Sequence, residues 1–227
     1  DPQGNTTSGL GISKRGLENT MYEVLITDSY DPKNAVRHTV LEGLDIIPAS
    51  VELAGAEVEM VQLEGREKRL KRALDTIRDG YDYIFIDFPP QNSLVTMMYL
   101  VASDYLIAPL HLGKESSLFA YNDIIDCCEE ANEYKDKNLV RLGAFYTQTQ
   151  LYKGYQKEKY SESMTEEMRQ AMRFFKTTIK YDYATTTAAE AYKEPVCISA
   201  GRSEIAKNYK DLAKEILQRI KEVEQHG

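Results

Sequence analysis

The ten residues Tyr81-Asp82-Tyr83-Ile84-Phe85-Ile86-Asp87-Phe88-Pro89-Pro90 hold the most chemically suggestive arrangement in the chain. A short apolar run ends in an acid, and two prolines then force the backbone out of any strand. A carboxylate at the carboxyl end of a buried strand lies where open α/β sheets receive ligands. In nucleotide hydrolases such an acid orients Mg²⁺, usually through water. The same pattern also fits an ordinary strand end closed by a capping Asp. Other chemistries find less support. The three cysteines show no Cys-x-x-Cys spacing, and His38, His111 and His226 are scattered, so a protein-built metal cage is not expected. With an odd cysteine count and Cys127 next to Cys128, reduced thiols are the simplest reading. No Gly-x-x-x-x-Gly-Lys-Ser/Thr occurs in the 227 residues. The backbone N–H cradle and phosphate lysine of such a loop are therefore not supplied by this sequence.

The elements that must position Asp87 are strands alternating with helices. Besides Tyr83–Asp87, apolar runs at Tyr105–Leu110, Val140–Tyr146 and Leu44–Pro48 suit strands of a buried parallel sheet. Gly65–Asp79 places Leu70, Leu74 and Ile77 on one helix face. Leu118–Tyr134 and Thr165–Phe175 read as two further helices. Ser203–Val223 carries the stripe Ile205, Tyr209, Leu212, Ile216 and Ile220. The lysine- and tyrosine-rich stretch Tyr152–Tyr160 is the most loop-like part. This alternation predicts an α/β fold, a doubly wound and mostly parallel sheet flanked by helices.

Composition sets the outer limits. Hydrophobic residues make up 42% and charged residues 28%, the balance of a globular domain, and no apolar run is long enough to span a bilayer. The net charge of −8 does not steer the chain to nucleic acid, so any DNA contact needs a local basic patch. Cys127 and Cys128 lie inside an expected helix and read as core, and most of the 16 tyrosines read as half-buried packing.

Tyr81 to Pro90 resembles the Walker B segment of ParA/Soj-type partition ATPases, with Phe88 where a Cys is common. Asp1-Pro2-Gln3-Gly4-Asn5-Thr6-Thr7 resembles the end of their second strand, the Walker A-prime segment. Leu44 to Ala54, Gly65 to Leu70, Ala102-Ser103-Asp104 and Tyr209 to Glu215 are similar to further landmarks, in the family's order. The resemblance covers nearly the whole chain and is weakest from Gln148 to Thr178. It implies a P-loop NTPase-like fold using ATP and Mg²⁺. Asp1 would position the attacking water, Asp87 would hold Mg²⁺ through its water shell, and Gln3, Gly4 and Asn5 would form the mobile switch. It also implies a nucleotide-dependent homodimer in the bacterial cytoplasm, associated with the nucleoid, that binds DNA non-specifically. A ParB-type centromere-binding partner would stimulate hydrolysis through a short basic segment. No membrane anchor is expected, because the tail Arg219–Gly227 is poor in bulky apolar residues.

For DNA the candidates are Lys176, Lys180, Arg202, Lys207 and Lys210, with Arg169 and Arg173 behind them. The alternative is a solvated helix surface, since Glu204 and Asp211 dilute the patch. Leu112 to Ser117 falls where the family contacts its dimer partner or ligand, and equally fits a strand–helix connection capped by Ser117. The family's Ile-Pro-Arg is replaced by Thr178-Ile179-Lys180-Tyr181-Asp182-Tyr183, while the small-residue stretch Ala184–Ala191 and the turn before Pro195-Val196 match. The chain opens on Asp1, without an initiator Met. The expectation is therefore one ATPase domain over 1–227 that lacks its first strand, phosphate loop and first helix, exposes sheet edges, and is by itself inactive and free of nucleotide. A non-catalytic binding or regulatory protein on the same fold is the alternative.

Overall fold

The computed structural model describes residues 2–88, 93–111, 115–149 and 172–226. These form two compact units, residues 1–104 with 123–139 and residues 105–122 with 140–227.

The first unit is made of short helices, of which Met21–Ile26 and Leu94–Ala102 are capped by side chains. They are α1 (Asn5–Gly9), α2 (Met21–Ile26), α3 (Ala56–Met60), α4 (Arg69–Asp75) and α5 (Leu94–Ala102). Thr20 and Glu23 form a reciprocal capping box at the start of α2, with the Thr20 N–H donating to the Glu23 carboxylate at 2.6 Å. At its far end Arg69 donates to the carbonyls of Leu25 and Ile26 at 2.7 and 3.3 Å. The Lys135 amine does the same for α5, donating to the Val101 and Ser103 carbonyls at 2.9 and 2.6 Å. Burial lowers the pKa of that amine. Such donors satisfy carbonyls that the helix itself leaves without partners. Between the helices lies a core that includes Leu25, Leu53, Met60, Leu70, Met98 and Tyr99.

Three expectations change in this unit. Gly65–Asp79 is not one helix. It is a 3-10 turn at Arg66–Lys68, then α4, then a second turn at Arg78–Gly80. The Thr76 hydroxyl donates to the Ala73 carbonyl at 2.7 Å, a local bond that competes with the helix ladder. Of Leu44–Pro48 only Asp45–Ile46 forms a strand, β2, and it pairs antiparallel with β1 (Arg37–His38). Pro48, which has no N–H, stands just beyond its end. The run Tyr83–Asp87 belongs to no strand ladder. A strand is made by hydrogen bonds to its neighbours, and no described segment pairs with this one.

The second unit holds the parallel pair. β3 (Tyr105–His111) and β4 (Val140–Thr147) run side by side, with α6 (Glu115–Asn132) between them in the sequence. The register slips once, from Leu106 opposite Arg141 to Ile107 opposite Gly143. Gly143 sits at this bulge with φ +142°. Beyond β4 follow α7 (Tyr183–Tyr192), α8 (Val196–Ser199) and α9 (Glu204–His226). Ile205, Leu212 and Ile220 of the expected stripe are buried with Leu142, Phe145, Phe175 and Ile179, whereas Tyr209 is exposed. Phe175 and Ile179 donate their N–H groups to the Ala144 and Tyr146 carbonyls of β4, both at 2.8 Å. Cys127 and Cys128, which belong to the first unit, are buried, as expected of core. The stretch Tyr152–Tyr160 and most of Thr165–Phe175 lie outside the described residues. Among the described residues no helix is long and apolar enough to cross a membrane.

Candidate functional site

Gly4 is the pivot of the segment before α1. Its φ is +58°, and a Cβ there would come within 2.9 Å of the Ala49 carbonyl oxygen. Both the conformation and the close approach require glycine. Gly4 hands the chain to α1 in a left-handed conformation, and the segment is then pinned from three sides. The Lys14 amine donates to the Gln3 carbonyl at 2.6 Å. The Asn5 amide donates to the Gln3 side-chain oxygen at 3.1 Å. The buried Thr7 hydroxyl accepts from the Ala49 N–H at 3.1 Å.

Thr6 points the other way. Its hydroxyl donates to Oδ2 of Asp87 at 2.5 Å, joining residues 81 positions apart. A hydroxyl bonded to a carboxylate is a charge-assisted pair, short and orienting. Behind Asp87 stands Tyr99, whose phenol is pushed well up by burial and, to a lesser degree, by the charges of Glu57 and Asp87. The Phe88 ring lies 5.8 Å from the Tyr99 ring. A cavity of about 240 Å³ opens on this pair, lined at one side by Gly4, Asn5, Thr6 and Asp87 and elsewhere by apolar side chains such as Leu70 and Phe85. Also lining it, Asp45 accepts hydrogen bonds from His38 and Tyr81, which hold its carboxyl below the ordinary range.

This donor set fits a hard divalent cation. Mg²⁺ keeps most of its water and takes one or two carboxylates together with phosphate oxygens, rather than a cage of protein ligands. Asp87 offers a carboxylate fixed from one side by Thr6. Among the described residues no group of three or more His, Cys, Asp and Glu converges as a cage would.

Of the residues singled out in the sequence, the structure brings Gly4, Asn5 and Asp87 to one cavity, with Gln3 bonded to Asn5 beside it. Asp1, Pro89 and Pro90, Leu112 to Lys114 and Arg169 lie outside the described residues. The basic candidates belong to the second unit. Lys176, Arg202, Lys207 and Lys210 are exposed. Lys180 is paired with Glu204, and its backbone N–H donates to Asn208 at 3.2 Å. Thr6 and Thr7 escaped sequence reasoning. Their signal was present as two hydroxyls directly after Gly4-Asn5, but their partners Asp87 and Ala49 are distant in the chain.

Comparison with known proteins identifies the family and the fold. The sequence profile of the AAA domain family matches residues 1–140. The chain is 34% identical over 218 residues to sporulation initiation inhibitor protein Soj of Bacillus subtilis, covering 95% of this chain and 83% of Soj. It is 45% identical over 111 residues to chromosome partitioning protein ParA of Myxococcus xanthus, covering 48% of this chain and 38% of that protein. The chain thus spans most of Soj but well under half of that ParA. Its fold is similar to that of apo McdA from Cyanothece, with a TM-score of 0.81 at 19% identity over 95% of this chain and 84% of the other. It is also similar to cobyrinic acid a,c-diamide synthase of Mycobacterium smegmatis with bound ADP and magnesium, with a TM-score of 0.70 at 25% identity over 85% and 77% of the two chains. The chain therefore has the α/β architecture of these P-loop ATPases, and it belongs to the ParA/Soj-type family of partition ATPases.

Proposed function

We propose that this chain works as the nucleotide switch of a DNA-partition system, an ATP- and Mg²⁺-dependent dimer that binds DNA non-specifically and segregates chromosome or plasmid DNA. The observation that carries the reading is the Thr6–Asp87 hydrogen bond, which ties the Gly4-Asn5 segment to the carboxylate at the end of Tyr83–Asp87. When bound, ATP with Mg²⁺ supplies the phosphoryl group and neutralises the charge that gathers on it. Asp87 holds the cation's water shell, and Thr6 keeps the Asp87 carboxylate turned towards it. Asp1 aligns the attacking water. Gln3, Gly4 and Asn5 change conformation with the state of the nucleotide, Gly4 being free to do so because it lacks a Cβ. Positioning and electrostatics of this kind are most of what phosphoryl transfer asks of a protein.

The names of the relatives support the rest. Soj and ParA are a sporulation initiation inhibitor and a chromosome partitioning protein by their own designations. On that basis Lys176, Lys180, Arg202, Lys207 and Lys210 contact DNA phosphates, a ParB-type protein triggers hydrolysis, and the protein acts in the cytoplasm on the nucleoid. The two compact units serve as one ATPase domain.

Phosphate release from ATP and MgCl₂, measured on this chain joined to the phosphate-binding loop that its 227 residues do not supply, tests the site. Asp87→Asn is expected to lower the rate at least about 100-fold, as loss of a transition-state electrostatic group does. Hydrolysis that survives this substitution would remove Asp87 from the mechanism. Nucleotide binding without hydrolysis in the unsubstituted protein would favour a non-catalytic regulator on the same fold.

A further inference from the structure

Helix α1 is only five residues long, yet the chain closes it with care at its C-terminal end. Gly11 has φ +80°, and its N–H donates to the Ser8 carbonyl at 3.1 Å. The Ile12 N–H donates to the Thr7 carbonyl, also at 3.1 Å. These two bonds are the Schellman closure, which wants glycine at its left-handed position. The chain then reverses, and Lys14 comes back to the N-terminal end of α1. There its amine donates to the Gln3 carbonyl at 2.6 Å. Its Cδ lies 3.1 Å from the point where a Cβ on Gly4 would stand. The lysine stem therefore lies over the bare Gly4 backbone, and the ammonium holds the carbonyl just before it.

The other bonds of this segment indicate what the contact controls. The Asn5 amide is bonded to the Gln3 side chain, so that tie lies within the segment and moves with it. The buried Thr7 hydroxyl is tied to Ala49, which fixes one point of the first turn. One fixed point leaves a pivot. The Lys14 bond at Gln3 fixes a second, on the other side of Gly4. Two points set the direction of the turn, and with it the aim of the Thr6 hydroxyl at Asp87. Lys14 is exposed, and a single bond from an exposed amine to a neutral carbonyl adds little to global stability. Its contribution is placement.

We propose that Lys14 is a positioning residue for Asp87. Its amine, returned to Gln3 by the turn at Gly11, fixes the first turn of α1 and so the Thr6 hydroxyl that orients the Asp87 carboxylate. What the oriented carboxylate then does rests on the Mg²⁺ reading above; the positioning itself does not.

The test is nuclear magnetic resonance of the whole chain without nucleotide, with the aspartate carboxyl carbons and the amides labelled. Thr6→Val removes the donor and marks how the Asp87 carboxyl resonance moves when that bond is lost. Lys14→Met keeps the stem over Gly4 and removes the ammonium. It is expected to move the Asp87 resonance in the same direction. It should also speed hydrogen exchange at the Ser8 and Ala49 amides, bonded to the Gly4 carbonyl and the Thr7 hydroxyl, at least about fivefold. Lys14→Arg restores a cationic donor and should recover both readouts. Lys71→Met removes a lysine bonded to Asp75 elsewhere in the unit and should move neither. An Asp87 resonance that Lys14→Met leaves in place would overturn the proposal. So would exchange that rises equally at the amides of α5, the mark of a general loss of stability, or an arginine variant that behaves like the methionine one. Neither readout uses nucleotide, so a failure of this proposal is distinct from a failure of the ATPase reading.

Discussion

Val140–Tyr146 and Tyr83–Asp87 are both apolar runs that read as buried strands, yet only the first becomes one, as β4. In β4 the side chains of Leu142, Ala144, Phe145 and Tyr146 are buried. In the other run Phe85 is 78% exposed, and Tyr83 and Ile84 are exposed as well. The difference lies in what runs alongside. β4 has β3 on one side and accepts N–H bonds from Phe175 and Ile179 on the other. Tyr83–Asp87 has no ladder partner among the described residues. Local sequence supplies the apolar pattern, but the neighbours supply the hydrogen bonds and the burial.

The largest expected effect comes from breaking β4 at its bulge. Gly143 has φ +142°, and a Cβ there would collide with the Arg173 carbonyl and the Arg219 guanidinium. Gly143→Ala is expected to cost about 3 kcal/mol, combining backbone strain with overpacking. Urea unfolding measures it, and a cost below about 1 kcal/mol would show that the bulge relaxes freely.

Next comes the clamp that α9 places on Phe174, Lys176 and Thr177 beyond β4. Glu215 accepts from the N–H groups of Lys176 and Thr177 at 2.8 and 3.0 Å. Arg219 donates to the Leu142 and Phe174 carbonyls at 2.6 and 2.7 Å and stacks 3.9 Å over the Phe175 ring. Burial alone would raise the Glu215 pKa, but these N–H bonds, the Thr177 hydroxyl and Arg219 outweigh it and hold the carboxyl below its ordinary 4.5. A carboxyl depressed in the folded state contributes stability above its unfolded pKa and loses it as pH falls through the folded value. Glu215→Gln should therefore cost about 2 kcal/mol at pH 7, and the two proteins should converge as the pH drops below 4.5. A gap that persists unchanged at pH 3 would show that the charge is not what matters.

These cases show where sequence reasoning reached and where it stopped. β3 and β4 were legible because a buried parallel strand is a continuous apolar run between turn residues. Asp87 stood out because an acid closing an apolar run is a local pattern, whereas Gly4 and Asn5 were named only through the family resemblance; the structure brings all three to one cavity. The antiparallel β1–β2 pair was not, because a two-residue ladder leaves no periodic trace. The break in Gly65–Asp79 depends on one threonine hydroxyl finding its own backbone. Arg219 read as part of a polar tail, and only the packing of α9 shows three carbonyls converging on it. Thr6 was hidden for the same reason, since its partner lies 81 residues away.

Thr6→Val isolates that distant contact. It keeps the shape of the side chain and removes the donor to Asp87. The expected loss is about 1 kcal/mol, since both groups are partly solvated and water replaces the hydroxyl. Urea unfolding gives the figure, and Thr6→Ser, which restores the donor, should recover most of it.

The smallest effect should fall on the unpaired run itself. If burial is what separates it from β4, then Phe85→Ser should change stability by no more than about 0.5 kcal/mol, as exposed substitutions do. Phe145→Ala, in the paired strand, should cost about 3 kcal/mol or more. The two aromatic residues occupy similar sequence settings, so the ratio of their effects measures how much of an apolar run's contribution comes from its neighbours. A loss above about 2 kcal/mol at Phe85 would mean that this side chain is covered in the folded protein, and the contrast between the two runs would then collapse.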